Sequence, residues 1–348
     1  MDLTKDATGQ SRTGDPVLSV IVPVYNASDT LEASLDSVLS QNLDDVEVVC
    51  VDDGSTDGSG ELLRAIAARD GRVRVLSQEN AGAGAARNAG MAAARGRYLC
   101  FLDPDDLYPD EDVLADLVAG AESCGAAICG GSFSSFHKEN PTQIKRTFAP
   151  SVWGYVFERN EMVSYADYQF DYGFHRFVYR RSLLQEAHVS FPTWQRFQDP
   201  PFFARAMIAA GKFYALARPT YLYCGRSVPM KWTTTTTCEF LRGCAELLDI
   251  SREAGLERLH ALAMARVYEN RNEQKGTLPR NSEEAREVLE QLREAARPEF
   301  LRESDFVTAR QFEDSLRMRL AQGPARRAIR KAKRIAKSVA VKCAAERE

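Results

Sequence analysis

The sequence predicts an α/β protein built on a mainly parallel sheet with helices on its faces, and three observations carry that prediction. Short apolar runs of strand length alternate with stretches of helical spacing through the N-terminal half, the pattern of successive βα units. Those runs end in polar or acidic clusters, as strands do when their carboxyl ends face a ligand crevice. From about Cys238 onward the strand pattern gives way to helical periodicity, which predicts a helical C-terminal extension.

Leu18 to Tyr25 (LSVIVPVY) reads as a buried strand. Leu31, Leu35, Val38 and Leu39 then recur at helical spacing, with Asp29 as the expected N-cap and Glu32 three residues on. Val46 to Val51 (VEVVCV) is a second strand that runs into Asp52, Asp53 and Gly54 before a helix over Gly60 to Arg69. Val73 to Leu76 is a third, short strand, followed by an alanine-rich helix from Ala83 to Ala94. Tyr98 to Leu102 (YLCFL) is a fourth, leading into Asp103-Pro104-Asp105-Asp106. Between Phe133 and Tyr179 periodicity weakens while aromatic residues accumulate, fitting either a buried loop-rich insertion or an apolar wall for a ligand. Helices are predicted over Leu241 to Arg252, Arg258 to Asn270, Ser282 to Ala296 and Phe312 to Leu320.

A chain of 348 residues has room for one large α/β domain and a smaller appendage, and 44% hydrophobic with 27% charged residues excludes a disordered or fibrous protein. No run of about 18 apolar residues exists, and residues 1–16 lack the apolar centre of a signal peptide. They are expected to be disordered, and the chain to be cytoplasmic. The eight cysteines are scattered, and the closest pairs, Cys124 with Cys129 and Cys238 with Cys244, lack zinc-ribbon spacing. Reduced, structural thiols are expected. Between Ala325 and Lys342 stand eight basic side chains and no acidic one, which leaves the remainder at −12 within a total of −4. Apolar residues step through that segment by three and four, so 321–348 is expected to form a basic amphipathic helix. Its expected partner is an anionic membrane surface touched through residues 325–342, giving a peripheral position on the inner face, or the protein's own body or a partner. Nothing else supports a nucleic-acid partner.

The chemistry concentrates at the acidic turn. Asp103, Asp105 and Asp106 begin where a buried strand ends, and Pro104 stiffens the turn between them, so at least two carboxylates can face one point. Hard oxygen ligands at that density suit Mn²⁺ or Mg²⁺ bridging to phosphate.

Four ordered blocks resemble the family 2 glycosyltransferases of the GT-A fold: SVIVPVYNASDTLEASLDSVLSQ, VVCVDDGSTDGS, ENAGAGAARNAGMAAARGRYLCFLDPDDLYPD and FQDPPF, together spanning Leu18 to about Arg226. The resemblance implies a Rossmann-like, mainly parallel sheet sandwiched by helices over 17–230, with a nucleotide-sugar half (17–132) and an acceptor half (133–230), followed by a helical region over 231–320. It implies that Pro23 and Tyr25 wall the donor's base and ribose, and that Asp52 and Asp53 read them. Carboxylates accept but do not donate, which suits uracil N3–H, so a UDP-sugar is the expected donor. Arg87 and Asn88 resemble the helix-start residues that contact the nucleotide. Asp103 and Asp105 resemble the DxD pair, with Asp105 as the better metal ligand, Asp103 nearer the ribose and Asp106 orienting them. Asp199, in Phe197-Gln-Asp-Pro-Pro-Phe202, resembles the general base at a helix start, with Gln198 where the family usually has glutamate. Arg226 and Lys231, just after the strand-like TYLYCGR, fit either a loop that closes over the diphosphate or ordinary solvated cations. The implied reaction is an inverting transfer to a hydroxyl of a glycan or lipid-linked acceptor.

Rival readings fit less of the chain. Gly82-Ala-Gly84-Ala-Ala-Arg87 imitates a dinucleotide fingerprint, but Arg87 stands where close packing of helix on strand requires a small residue. A nucleotidyltransferase would carry a glycine-rich loop after the first strand, where this chain has PVYNAS. A nucleotide-sugar binding protein without turnover stays compatible with Gln198.

Overall fold

The computed structural model describes residues 14–137, 140–145, 156–225, 231–301 and 307–320. Arg226, the basic tail at 325–342 and the aromatics Phe148, Trp153 and Tyr155 lie outside the described residues.

The first half follows the alternating pattern: β1 (Leu18–Val24), α1 (Leu31–Leu39), β2 (Val46–Asp52), α2 (Ser59–Arg69), β3 (Val73–Ser77), α3 (Ala83–Ala93) and β4 (Tyr98–Phe101). The strands lie in the order β3-β2-β1-β4, all parallel, with Leu18 in register against both Val46 and Tyr98. Every residue of β1 and β2 is buried because both faces are covered. Val20 and Val22 pack in one cluster with Leu35, Leu63 and Leu117. On the other face Ile21 joins Leu99, Phe101 and Phe202, while Val49 and Val51 meet Ala86 of α3. Double coverage is why these strands read as continuous apolar runs and not as alternation. One local expectation is corrected: the N-cap of α1 is Thr30, not Asp29, since the chain turns one residue later through the Thr30 amide bond to the Ala27 carbonyl (3.0 Å).

Beyond β4 come α4 (Val113–Ser123), β5 (Ile128–His137), β6 (Asn140–Lys145), β7 (Glu161–Ser164), α5 (Tyr165–Tyr168), β8 (Phe177–Arg180), α6 (Arg181–Glu186), α7 (Asp199–Ala210) and β9 (Lys212–Cys224). Here the sheet becomes mixed: it continues β4-β8-β5-β9-β7, with β8 antiparallel to both neighbours, β9 parallel to β5 and β7 antiparallel to β9. Strand β5 (ICGGSFSSFH) hides its periodicity because side chains of other elements occupy its surface. A Cβ on Gly130 would lie 2.0 Å from the Phe177 ring, and one on Gly131 would lie 2.4 Å from Thr220. The aromatics of this region are core: Tyr165, Tyr168, Phe170, Phe174 and Phe177 are buried with Phe202, Phe203 and Phe213. Phe101 takes the rings of Phe191 and Phe202 edge-on, at 5.2 and 5.5 Å. Tyr172 alone among the aromatics of that stretch that are described is markedly exposed, at 41%.

The C-terminal helices α8 (Thr234–Glu253), α9 (Glu257–Glu269), α10 (Glu283–Ala295) and α11 (Ala309–Arg319) share one apolar cluster with α7, running from Met207 through Leu241, Leu259 and Leu289 to Leu316. Helix α8 starts on a capping box in which Thr233 and Thr236 satisfy each other's backbone amides. Its Gly243 sits against the turn that precedes α7, where a Cβ would be 2.6 Å from the Phe197 carbonyl oxygen. Among the described residues no helix is long and apolar enough to cross a membrane.

Gly243→Ala separates propensity from packing. In a free helix interior the change stabilises by about 1 kcal/mol, whereas overpacking against backbone costs about 1–3 kcal/mol. The expected outcome in urea unfolding is a net loss of stability with an unchanged slope; a gain would show that α8 does not press on the Phe197 turn.

Candidate active site

The parallel strands deliver their carboxyl ends to one edge of the sheet, and a cleft of about 240 Å³ opens there. Pro23, Tyr25, Asp53, Asn80 and Ala86 line one side, and Gln195 and Arg196 the other. Pro23 is buried in the end of β1, while Tyr25 is 51% exposed, an apolar face open to solvent beside the cleft. Asp53 borders the cleft, but its two oxygens are committed to the wall: Oδ1 accepts from Gln78 Nε2 (2.8 Å) and the Ala81 amide (2.9 Å), and Oδ2 from the Gly82 amide (2.8 Å). Asp52 accepts from the Ser55 amide (2.9 Å) and packs so near Gly60 that a Cβ there would sit 2.7 Å from its Oδ2. The acidic pair therefore shapes the loops around the cleft.

Arg87 lies at the centre of a second constellation. Helix α3 carries it inward, 3% exposed, where its Nη2 donates to Asp103 Oδ1 (2.6 Å) and its Nη1 to Asp199 Oδ1 (3.2 Å). The guanidinium lies 5.0 Å from the Phe174 ring centre and 5.3 Å from that of Phe191. Burial by itself would lower the Arg87 pKa; the charges of Asp103 and Asp199 outweigh it and raise it. Asp103 shows the reciprocal effect: burial would raise it, but Arg87 and His175 hold the carboxyl well below the usual carboxylate range. His175 Nε2 is 3.2 Å from Asp103 Oδ2, and its ring stacks on Tyr221 at 5.0 Å.

Asp106 fixes the turn. The Tyr221 hydroxyl donates to its Oδ2 (2.6 Å) and the Cys224 amide to its Oδ1 (2.7 Å), while the Asp103 amide donates to the same Tyr221 hydroxyl (3.1 Å). Burial and the charges of Asp103 and Asp105 push the Asp106 carboxyl well above its ordinary value. Strand β9 thus clamps the Asp103–Asp106 turn from below the sheet edge, and Asp106 is spent on that clamp.

Asn88, expected beside the nucleotide, has its amide engaged elsewhere: Nδ2 donates to the Phe191 carbonyl (2.8 Å) and Oδ1 accepts from the Phe191 amide (2.9 Å). Gly84 one turn earlier allows the contact, since a Cβ there would be 2.4 Å from the Pro192 oxygen. Asp199 opens α7 with prolines behind it, which suits a helix start because the missing amide would be unpaired there anyway. Phe197, just before, adopts φ 63°, a left-handed conformation that costs a bulky residue about 1–3 kcal/mol. In the amide orientation that satisfies its neighbours, Gln198 donates to the Trp194 carbonyl (2.6 Å) and accepts from Arg87 Nη1 (3.3 Å). A neutral oxygen there meets Arg87 Nη1 without adding a third carboxylate.

Asp103 and Asp105 offer hard oxygens at the strand end, and Asp105 is half-buried on the same turn. Among the described residues no group of three or more His, Cys, Asp or Glu is arranged to hold a metal. Two carboxylates of that turn fit Mn²⁺ or Mg²⁺ only with the remaining ligands drawn from phosphate and water. Sequence reasoning passed over His175 and Tyr221. His175 stands in an aromatic run as one of four histidines, and Tyr221 reads as an ordinary strand tyrosine; only the β8–β5–β9 pairing brings them to Asp103.

The family model described as glycosyl transferase family 2 matches residues 19–187. The glycosyltransferase GlyG of Streptococcus pneumoniae is 30% identical over 223 residues, covering 61% of this chain and 71% of GlyG. The chain belongs to glycosyl transferase family 2. The glycosyltransferase EpsJ of Bacillus subtilis is 35% identical over 210 residues, 60% of this chain and 61% of EpsJ. The chain thus spans about 60% of the length of the first curated relatives it matches. TarS 1–349 of S. aureus superposes with a TM-score of 0.64 at 21% identity over 81% of this chain and 82% of that one, which identifies the fold as GT-A. TarS has been solved with UDP-GlcNAc and with UDP. PcManGT of Pyrobaculum calidifontis, solved with GDP-Man and Mn²⁺, superposes at a TM-score of 0.51 and 20% identity, covering 74% of this chain and 76% of that one.

Arg87→Met leaves two carboxylates facing a neutral side chain. Breaking a buried pair in this way costs about 3–5 kcal/mol. Because Asp103 is depressed in the folded state, its contribution is complete above the unfolded carboxylate value of about 3.9 and is lost as pH falls through the lower folded value. Urea unfolding from pH 7 down to pH 2 is therefore expected to show the native protein and the variant converging as acid is added. A gap that stays constant with pH would contradict the pairing.

Proposed function

We propose that this protein is an inverting glycosyltransferase that moves the sugar of a UDP-sugar onto a hydroxyl of a glycan or lipid-linked acceptor. The observation that carries the reading is the Arg87 bridge, which ties Asp103, at the end of the fourth strand, to Asp199, at the start of α7. A strand-end turn suited to a nucleoside diphosphate and a lone helix-start carboxylate then share one position. Family membership and a fold shared with TarS, solved with UDP-GlcNAc, support the donor class.

In this reading Pro23 and Tyr25 wall the base, and the loops held by Asp52 and Asp53 frame it. Arg87 acts behind the site, fixing Asp103 and Asp199 instead of touching phosphate, and Asn88 holds α3 to the Phe191 segment. Asp105 and Asp103 would hold Mn²⁺ or Mg²⁺, whose charge stabilises the diphosphate as it leaves. Asp199, held in place by Arg87 Nη1 (3.2 Å), takes the proton from the acceptor hydroxyl as its oxygen attacks the anomeric carbon from the face opposite the leaving group. That geometry inverts the anomeric centre. Residues 17–230 carry this chemistry, and 231–320 support it through α8. The segment at 325–342 would hold the enzyme near an anionic membrane, where a lipid-linked acceptor resides.

Asp199→Asn is expected to bind UDP-GlcNAc within about threefold of the native protein while UDP release falls by a factor of about 10²–10⁴, the usual contribution of a general base. Calorimetry and a coupled UDP assay read the two quantities. Native protein that binds the donor and releases no UDP with any acceptor would instead be a nucleotide-sugar binding protein.

A further inference from the structure

At the opposite edge of the sheet, where β1 and β4 begin and β8 ends, a second cavity of about 560 Å³ opens. Four arginines line it: Arg95 and Arg97 from the turn before β4, and Arg180 and Arg181 from the junction of β8 with α6. We propose that this cavity is a binding site for a phosphorylated anion of diphosphate or phosphate-ester size, separate from the donor cleft.

The frame that holds the arginines is rigid. Gly96, between two of them, lies so close to β1 that a Cβ would be 2.5 Å from the Ser19 nitrogen. The Arg97 amide donates to the Pro16 carbonyl (3.1 Å) and the Arg181 amide to the Arg97 carbonyl (2.9 Å). Arg181 Nε donates to the Gly96 carbonyl (2.8 Å), and its two terminal nitrogens meet no acceptor among the described residues. Arg180 Nη2 reaches the carbonyls of Gly125 (3.4 Å) and Ala126 (3.3 Å), and its guanidinium lies 5.7 Å from the Tyr98 ring centre.

The chain is acidic overall, at −4, yet here guanidinium groups crowd together. Asp45, which also lines the cavity, has its Oδ2 engaged by the Val17 amide (3.1 Å), and Asp15 is exposed. Arg95 is anchored to the buried Glu47, which Arg74 also meets, whereas Arg97 pairs with Glu122 between side chains 58% and 44% exposed, a weak surface pair that gives way to a multivalent anion. Guanidinium forks match phosphate oxygens two at a time, and Ser182 and Gln185 add neutral donors at the wall. The volume exceeds what a single small ion fills, which points to a diphosphate or a phosphate carrying a substituent. A soluble metabolite and a lipid headgroup present the same chemistry.

The test titrates the full chain with inorganic pyrophosphate in EDTA and repeats the titration with saturating UDP. Native protein is expected to bind in both, and Arg97→Gln/Arg181→Gln to bind at least tenfold more weakly with an unchanged circular dichroism spectrum. Cosedimentation with phosphatidylglycerol against phosphatidylcholine vesicles runs in parallel. Loss of pyrophosphate binding in the double variant supports the site with a soluble anion. Loss confined to phosphatidylglycerol supports it with a lipid phosphate. Should the double variant not fold, Arg95→Gln and Gln185→Ala carry the test, each expected to weaken binding at least threefold. Native protein that binds neither probe, or variants that bind both as the native does, would overturn the proposal.

Discussion

A single buried guanidinium organises the functional edge of this protein. Arg87 is almost fully removed from water, where a lone charge would be prohibitively unstable, and it is tolerable only because Asp103 and Asp199 meet it from two sides. Those carboxylates are 96 residues apart in sequence, on a strand-end turn and on a helix start, so neither can move without exposing the other's partner. The bridge makes two loops behave as one surface.

Much of the surrounding packing serves to hold that bridge. Asn88 and Gly84 press α3 onto the Phe191–Pro192 segment, which fixes where Arg87 emerges. Tyr221 and Asp106 clamp the turn that bears Asp103. The strained Phe197 turn that presents Asp199 leans on Gly243 and Phe240 of α8, so the C-terminal helices reach the site through that turn. The helical region thereby supports the turn that carries Asp199. At the opposite edge of the same sheet Arg95, Arg97, Arg180 and Arg181 line a second cavity.

How much of this the sequence discloses depends on how local the cause is. The strands Leu18–Val24, Val46–Asp52 and Tyr98–Phe101 are legible because burial on both faces writes itself as unbroken apolar runs, and the acidic turn is legible because it begins where such a run stops. The helices α8 to α11 are legible from their spacing. Strand β5 is not, because Gly130 and Gly131 are there to admit Phe177 and Thr220 from distant segments, and a pattern set by other elements leaves no period of its own. For the same reason the aromatics between Phe133 and Tyr179 could be read as core or as ligand wall, and folding assigns most of those described to core. Side-chain roles are the least legible. Asp53 and Asn88 resemble nucleotide contacts in their motifs, yet their hydrogen bonds go to the loops around the cleft, and His175 enters the site only because β8 lies beside β4.

The forked geometry of Arg87, and not merely its charge, holds the Asp103 turn and Asp199 together. Arg87→Lys keeps the charge and removes the fork. The most direct measurement is calorimetric titration of UDP with and without Mn²⁺ on the native protein and on Arg87→Lys. Mn²⁺-dependent binding is expected in the native protein and at least tenfold weaker binding in the folded variant, because Asp103 is no longer fixed. Equal, metal-dependent affinity in the two proteins would contradict it.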